Sequence, residues 1–354
     1  MKAWVLHDIG DIRYEDVNKP EIGENEVIVS VKAVGICGSD IPRIYRDGAH
    51  RMPLIPGHEF AGEVVEAGKG VGEEWLNKKV GVFPLIPCNT CIACIKARYE
   101  MCRNYSYLGS RCNGAFAEYV AVPKNNLIEL PEGVLFEQAA MLEPMSVAVH
   151  AMRRVLIKQS DVVAVCGLGT IGMLLIMFLL ERGIRKLFVI GNKNSQREKA
   201  ISLGLPDNQF CDSRFEDVNR WLMKCTEGAG ADVFFECVGR NETVSQAINL
   251  TAPGGYVCLV GNPYSDMLLN KQTYWKILRN QLNVTGTWNS SFSGEGNDKA
   301  SKETDWYYVL DLIKQKRIAP ENFISHRFNM EELDKGLHIM RDKSEEYIKI
   351  MVIK

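Results

Sequence analysis

Four cysteines, Cys88-x2-Cys91-x2-Cys94-x7-Cys102, lie close enough together to offer one Zn2+ four thiolates. Such a set fills a tetrahedral ion completely, so the cluster predicts a structural metal site with no position open to a substrate. An active metal needs another donor set, typically Cys, His and carboxylate from separated segments, with one position free. Three segments offer these donors: Cys37 in Gly35-Ile36-Cys37-Gly38-Ser39-Asp40, the pair in Gly57-His58-Glu59-Phe60, and Glu143 in Leu142-Glu143-Pro144. Each alone reads equally well as a packed core residue. Beside the four-Cys cluster and a Gly-rich turn in the same chain, they predict two Zn2+ per chain, one structural and one catalytic.

The turn is Gly167-Leu168-Gly169-Thr170-Ile171-Gly172, set between an apolar strand, Val162–Cys166, and an apolar helix starting at Thr170. There, backbone N–H groups and a helix N-terminus face a pyrophosphate, which makes Gly167, Gly169, Thr170, Ile171 and Gly172 candidate dinucleotide contacts. NAD-binding turns usually carry Asp or Glu at the end of the second strand. Here that strand ends Val189-Ile190-Gly191-Asn192-Lys193-Asn194-Ser195-Gln196-Arg197, and no acid occurs between Glu181 and Glu198. Gly191 leaves room where an acid would repel a phosphate, Asn192 follows it as a candidate contact, and Lys193 and Arg197 offer charge to the phosphate. NADP(H) is therefore expected over NAD(H), the alternative being a solvated loop with incidental cations.

These residues need scaffolds. A chain of 354 residues is long enough for two domains. The first third alternates short β-type runs with turns: Lys2–Leu6, Glu26–Val34, Gly62–Ala67, Val80–Val82 and Phe116–Val122. That pattern predicts an antiparallel, barrel-like domain. From Asp161 strand and helix alternate: Val162–Cys166, a helix from Thr170 to Arg182, Leu187–Ile190, and a helix from Ser195 to Leu203. A helical stretch near Glu216–Thr226, then Asp232–Cys237, a helix near Glu242–Leu250, Tyr256–Val260 and Leu282–Gly286 complete a doubly wound parallel sheet. A polar loop, Asn289 to Ser301, precedes a helix around Trp306–Lys314, and the strand Ile348 to Ile353 returns to the first domain's sheet. The expected division is 1–150 with 288–354, and 151–287.

Composition narrows the function. Forty-two Lys plus Arg against 44 Asp plus Glu give a net charge of −2, no footprint for nucleic acid. The start, Met1-Lys2-Ala3-Trp4-Val5-Leu6-His7-Asp8, turns polar too soon for a signal-peptide core, and eleven cysteines then imply reduced thiols in a cytoplasm. Val162 to Leu180 is 19 residues without a charge, yet its glycines mark a strand turning into a packed helix rather than a membrane span.

The pieces Cys37-Gly38-Ser39-Asp40, Gly57-His58-Glu59-Phe60-Ala61-Gly62, the four-Cys lobe, Gly114-Ala115-Phe116-Ala117-Glu118-Tyr119, Leu142-Glu143-Pro144 and the Gly-rich turn occur in an order that resembles the zinc-dependent medium-chain alcohol and polyol dehydrogenases over essentially the whole chain. The resemblance implies an α/β protein: a mostly-β GroES-like catalytic domain plus a Rossmann doubly wound parallel sheet. It implies that Cys37 and His58 bind the catalytic zinc while Glu59 or Glu143 supplies or orients the remaining ligand. Carboxylate at Glu143 resembles the sorbitol and galactitol-phosphate branch. Ser39 matches the family's hydroxyl relay, but Pro42 stands where a relay histidine often lies, leaving His50 or Glu59 as substitutes.

The stretches from Ser39 to His50 and Gly109-Ser110-Arg111 resemble the galactitol-phosphate branch more than sorbitol or butanediol dehydrogenases. Arg43, Arg46 and Arg111 offer charge for a phosphate, with His50 beside them, and Asn289, Ser290 and Ser291 offer groups for hydroxyls. The expected reaction interconverts a secondary alcohol of a polyol phosphate, such as galactitol 1-phosphate at C5, and its ketose, in a homodimer or homotetramer. The alternative is a non-phosphorylated polyol or diol: sorbitol, xylitol or butanediol. A zinc-free quinone reductase would lack Cys37, His58 and the lobe, and a zinc-ribbon binding module would need basic and aromatic residues around the cysteines.

Overall fold

Glu26–Ile36, an eleven-residue run with four Val and two Ile, is the strand on which the first half of the fold is built. The computed structural model describes residues 1–294 and 303–354. It divides into two units, Met1–Ser146 with Ser290–Lys354, and Val147–Asn289.

In the first unit a seven-stranded sheet runs in the order Ile324–Phe328, Lys349–Ile353, Glu26–Ile36, Glu59–Ala67, Lys79–Val82, Leu127–Glu129, with Tyr119–Pro123 also on Glu26–Ile36. All pairs are antiparallel except Ile324–Phe328 with Lys349–Ile353. The C-terminal strand thus lies against residues more than three hundred positions earlier, with Ile350 opposite Ile36 and Met351 opposite Gly35. A hairpin of Lys2–Asp8 and Asp11–Asp16 joins through single bridges, Ala3 to Ala117 and Leu6 to Leu54. Tyr119–Pro123 is shorter than the expected Phe116–Val122, because Phe116 and Ala117 turn toward the hairpin and are fully buried. Inward Val, Ile, Leu and Phe side chains of these strands make one core.

The second unit is a six-stranded parallel sheet in the order Phe210–Asp212, Lys186–Gly191, Val162–Cys166, Ala231–Glu236, Thr251–Leu259, Asn283–Gly286. The chain starts in the middle, builds outward to one edge, then returns to build the other. The order therefore reverses between Val162–Cys166 and Ala231–Glu236, the crevice where doubly wound sheets bind ligands. Helix Thr170–Glu181 buries Gly172 through Leu179 without interruption, so it is covered on every side rather than on one face alone. Among the described residues no helix is long and apolar enough to cross a membrane. Helix Val218–Cys225 starts later than expected because Asp217 caps it, accepting from the Arg220 N–H. The loop from Asn289 to Ser301 falls partly outside the described residues.

Candidate functional site

In the lobe, a short helix, Ile92–Ile95, and the turn Tyr99–Met101 bring the four cysteines together. Cys91 Sγ is 3.6 Å from Cys94 Sγ and 3.9 Å from Cys102 Sγ, and Cys88 Sγ is 3.9 Å from Cys94 Sγ. Sulfurs about 2.3 Å from a tetrahedral Zn2+ would be about 3.8 Å apart, so the geometry fits that ion. The Thr90 hydroxyl, with the N–H groups of Thr90 and Cys91, pulls the Cys88 thiol down to about 5, while burial and the neighbouring thiols push Cys94 up to about 12, so a cation among them would be needed to hold all four as thiolates.

In the same unit the ligand atoms of Cys37, His58 and Glu59 lie within 4.8 Å of one another. Cys37 follows the end of Glu26–Ile36, and His58 precedes Glu59–Ala67, so the two neighbouring strands deliver them to one place. Glu143 stands at the start of helix Leu142–Arg153, outside this triplet, and accepts from the Tyr107 hydroxyl at 3.1 Å. Burial, and then the negative charge of the Glu59 carboxylate, push Glu143 up to about 7.

The supports of this cluster include residues that carry no motif. Lys349 forms a buried ion pair with Glu59, 1% and 2% exposed, and donates to Ile36 O at 3.0 Å. Gly35 makes room for the pair: a Cβ there would overlap the Glu59 carboxylate and Lys349 Cε. Asp40, fully buried, accepts from the Cys37 N–H at 3.0 Å and faces His58 Nδ1 at 3.5 Å, which leaves Nε2 as the nitrogen available to a metal. Burial lowers the His58 pKa, but Asp40 and then Cys37 outweigh it and hold it well above the ordinary imidazole value. Cys37, Glu59 and Glu143 against one ammonium make a donor set suited to a divalent cation.

Ser39 occupies the N-cap position of helix Asp40–Tyr45 without capping it; its hydroxyl donates instead to Cys37 Sγ at 3.3 Å. Arg43 is engaged by Asp40, so its charge balances a buried carboxylate rather than standing ready for a phosphate. Arg46 pairs with Asp47, and His50 is exposed. Arg111 is exposed and lies 4.5 Å over the Tyr105 ring. The Ser290 hydroxyl accepts from Trp306 Nε1 at 2.9 Å, and Ser291 bonds Asp305, so both hydroxyls serve the fold. Asn289 ends the other unit in a left-handed conformation. A cavity of about 480 Å3 lined by Val5, Leu54, Ile55 and Leu108 takes in none of the candidate zinc ligands.

In the second unit each glycine of the turn has its own reason. Gly167 has φ 94°, and a Cβ there would meet Val238 Cγ2 at 2.5 Å. Gly169 has open space around its Cβ position, where a pyrophosphate can approach. Gly172 sits against Gly167 O, and a Cβ would overlap it. Thr170 and Ile171 open the helix.

At the second strand the expectation for Gly191 needs correction. Its Cβ position is already filled, with Gln196 Oε1, Leu168 Cδ1 and Phe210 Cζ each at 2.9 Å, so glycine is there for packing and leaves no empty room. Gln196 ties the two loops together, accepting from the Asn192 N–H at 3.0 Å and donating to Leu168 O at 3.0 Å. Arg197 is bound bidentately by Asp207 at 2.6–2.7 Å, which divides its charge. An acid absent from this stretch arrives from the next strand: Asp212 is the register partner of Gly191, held by Arg214. Lys193 precedes helix Asn194–Ser202.

Residues 23–132 match the alcohol dehydrogenase GroES-like domain, and residues 170–315 match the zinc-binding dehydrogenase domain. The chain belongs to the zinc-dependent medium-chain alcohol dehydrogenase family. This dehydrogenase is 32% identical over 335 residues to galactitol 1-phosphate 5-dehydrogenase of Escherichia coli K12, covering 94% of each chain. It is 30% identical to the sorbitol dehydrogenase of Halalkalibacterium halodurans, covering 99% of each. The crystal structure of galactitol-1-phosphate dehydrogenase from Escherichia coli superposes with a TM-score of 0.90 at 30% identity over the full length of both. The protein is thus a zinc-type, NAD(P)-dependent dehydrogenase of the alcohol and polyol class.

Proposed function

We propose that this dehydrogenase interconverts a secondary alcohol of a polyol phosphate and its ketose phosphate, with galactitol 1-phosphate as the specific candidate and NADP(H) preferred. Met1–Ser146 with Ser290–Lys354 carries the metal and substrate, and Val147–Asn289 holds the dinucleotide. Cys37, His58 and Glu59 hold the catalytic zinc with Glu143 beside it, and the four-Cys lobe holds the second ion. Zinc, when bound, supplies the Lewis acidity that stabilises an alkoxide while hydride leaves for nicotinamide. Asp40 orients the His58 imidazole, Lys349 neutralises Glu59, and Ser39 Oγ relays the carbinol proton, accepting it as its own hydroxyl proton passes on toward solvent. Lys193, with the shared charge of Arg197, meets the 2′-phosphate.

The observation that carries the phosphate reading is the placement of Arg111. Two tyrosine rings link it to the cluster: Arg111 lies over Tyr105, Tyr105 meets Tyr107 at 6.2 Å, and Tyr107 bonds Glu143. A cation at the exposed end of this chain can fix a phosphate at a distance from the reacting carbon and convert remote binding energy into orientation. Exposed Trp275, Leu278 and Val284 beside the edge strand Asn283–Gly286 favour a homo-oligomer, and the thiol-rich composition a cytoplasmic enzyme. The test compares kcat/KM for galactitol 1-phosphate and other polyol phosphates with that for sorbitol, xylitol and butane-2,3-diol, in wild type and Arg111→Ala. The variant should raise KM for the phosphates alone. Equal efficiency on free polyols would move the enzyme to the sorbitol type, the reading favoured by its sorbitol dehydrogenase relative.

A further inference from the structure

Tyr107 lies on the short strand Ser106–Tyr107, paired with Leu85–Ile86, and its ring is held from two sides. It meets the His58 imidazole edge-on at 5.7 Å between centroids, and Tyr105 at 6.2 Å, also edge-on. Phenylalanine would make both ring contacts equally well. What tyrosine adds is a hydroxyl, and a partly buried phenol needs a partner; its partner is Glu143 Oε1 at 3.1 Å.

That choice of partner has a chemical consequence. The terminal torsion of a glutamate is broad and nearly two-fold, so an unpinned carboxylate beside a metal can offer either oxygen or both. Here one oxygen is committed to a donor whose direction the clamped ring sets. We propose that Tyr107 is a positioning residue of the metal centre: its hydroxyl pins Glu143 beside Cys37, His58 and Glu59, so that the carboxylate presents a single oxygen to the ion or to the molecule bound there. A partner that orients a side chain at a metal typically controls metal affinity or activity by about 10–100-fold. The proposal rests on the zinc reading given above.

The test uses the full-length holoenzyme and Tyr107→Phe. Zinc release to a chromogenic chelator should then show one of the two ions leaving about tenfold faster or more than in wild type, the other at the wild-type rate. The visible spectrum of the enzyme with Co2+ in place of the labile zinc should change, kcat should fall, and the KM for dinucleotide should stay as it is. In a Glu143→Ala background Tyr107→Phe has nothing left to position and should add no further change. Unaltered release and an unaltered cobalt spectrum in Tyr107→Phe, even with a lower melting temperature, would overturn the proposal and leave a structural hydroxyl. The same shift appearing undiminished in the Glu143→Ala background would also overturn it. Wild-type enzyme holding fewer than two zinc ions would instead sink the metal reading, and this proposal with it.

Discussion

Two alanine substitutions three residues apart in the Gly-rich turn should fail in opposite ways. At Gly169 a Cβ meets nothing within 4 Å, and the backbone, φ −73° and ψ −168°, suits any residue. Gly169→Ala should therefore fold normally, losing at most about 1 kcal/mol for a poorer helix N-cap. The added methyl instead occupies the approach of the pyrophosphate. An affinity loss of at least tenfold, about 1.4 kcal/mol, is expected for either dinucleotide. At Gly172 the Cβ would overlap Gly167 O, a backbone atom that cannot swing aside. Overpacking of that kind costs about 1–3 kcal/mol, or more where backbone must shift, and should lower the melting temperature by several degrees. Paired dinucleotide titration and thermal melts separate the two. Gly169→Ala binding NADP(H) with wild-type affinity, or Gly172→Ala melting like wild type, would refute the assignment of the turn.

Lys349→Met leaves Glu59 buried and unpaired, and should destabilise the metal-free protein by about 3–5 kcal/mol, with a smaller loss once zinc compensates the carboxylate; melts with and without Zn2+ check it. Cys94→Ser should remove the lobe's zinc and lower stability while the zinc at Cys37 and His58 persists, as metal analysis would show. NADP(H) should exceed NAD(H) in kcat/KM by roughly tenfold or more, and Lys193→Ala should erase most of that margin; a preference for NAD(H) that survives the substitution would leave both cations as solvated charges.

The parallel half of the fold is legible because its strands are continuous apolar runs between helices with their own punctuation, as in Val162–Cys166 followed by three glycines. The candidate zinc ligands are legible as residue types at telling spacings, and the fold gathers Cys37, His58 and Glu59 in one place and the four cysteines in another. Their supports are not. Lys349 reads as an ordinary charge near the C-terminus; the one local hint is its position inside Ile348–Ile353, otherwise wholly apolar, where a lysine must find a buried partner. That partner, Glu59, lies 290 residues away and only strand pairing brings it close. Tyr107 is equally silent, and Asp40, although it stands in Cys37-Gly38-Ser39-Asp40, gives no sign there of the His58 that it faces. At the second strand the linear stretch misleads: Asp212 reaches Gly191 from a neighbouring strand, Gly191 is required by packing, and Arg197 looks unattached until the fold supplies Asp207.

The most direct test of the account is zinc stoichiometry and turnover in His58→Ala, measured together with dinucleotide binding. Wild type should hold two zinc ions per chain. The variant should retain one, in the four-Cys lobe, bind dinucleotide with unchanged affinity and lose alcohol oxidation. Near-normal turnover by a variant that has lost its second zinc would contradict the assignment of Cys37, His58 and Glu59 as the catalytic metal centre.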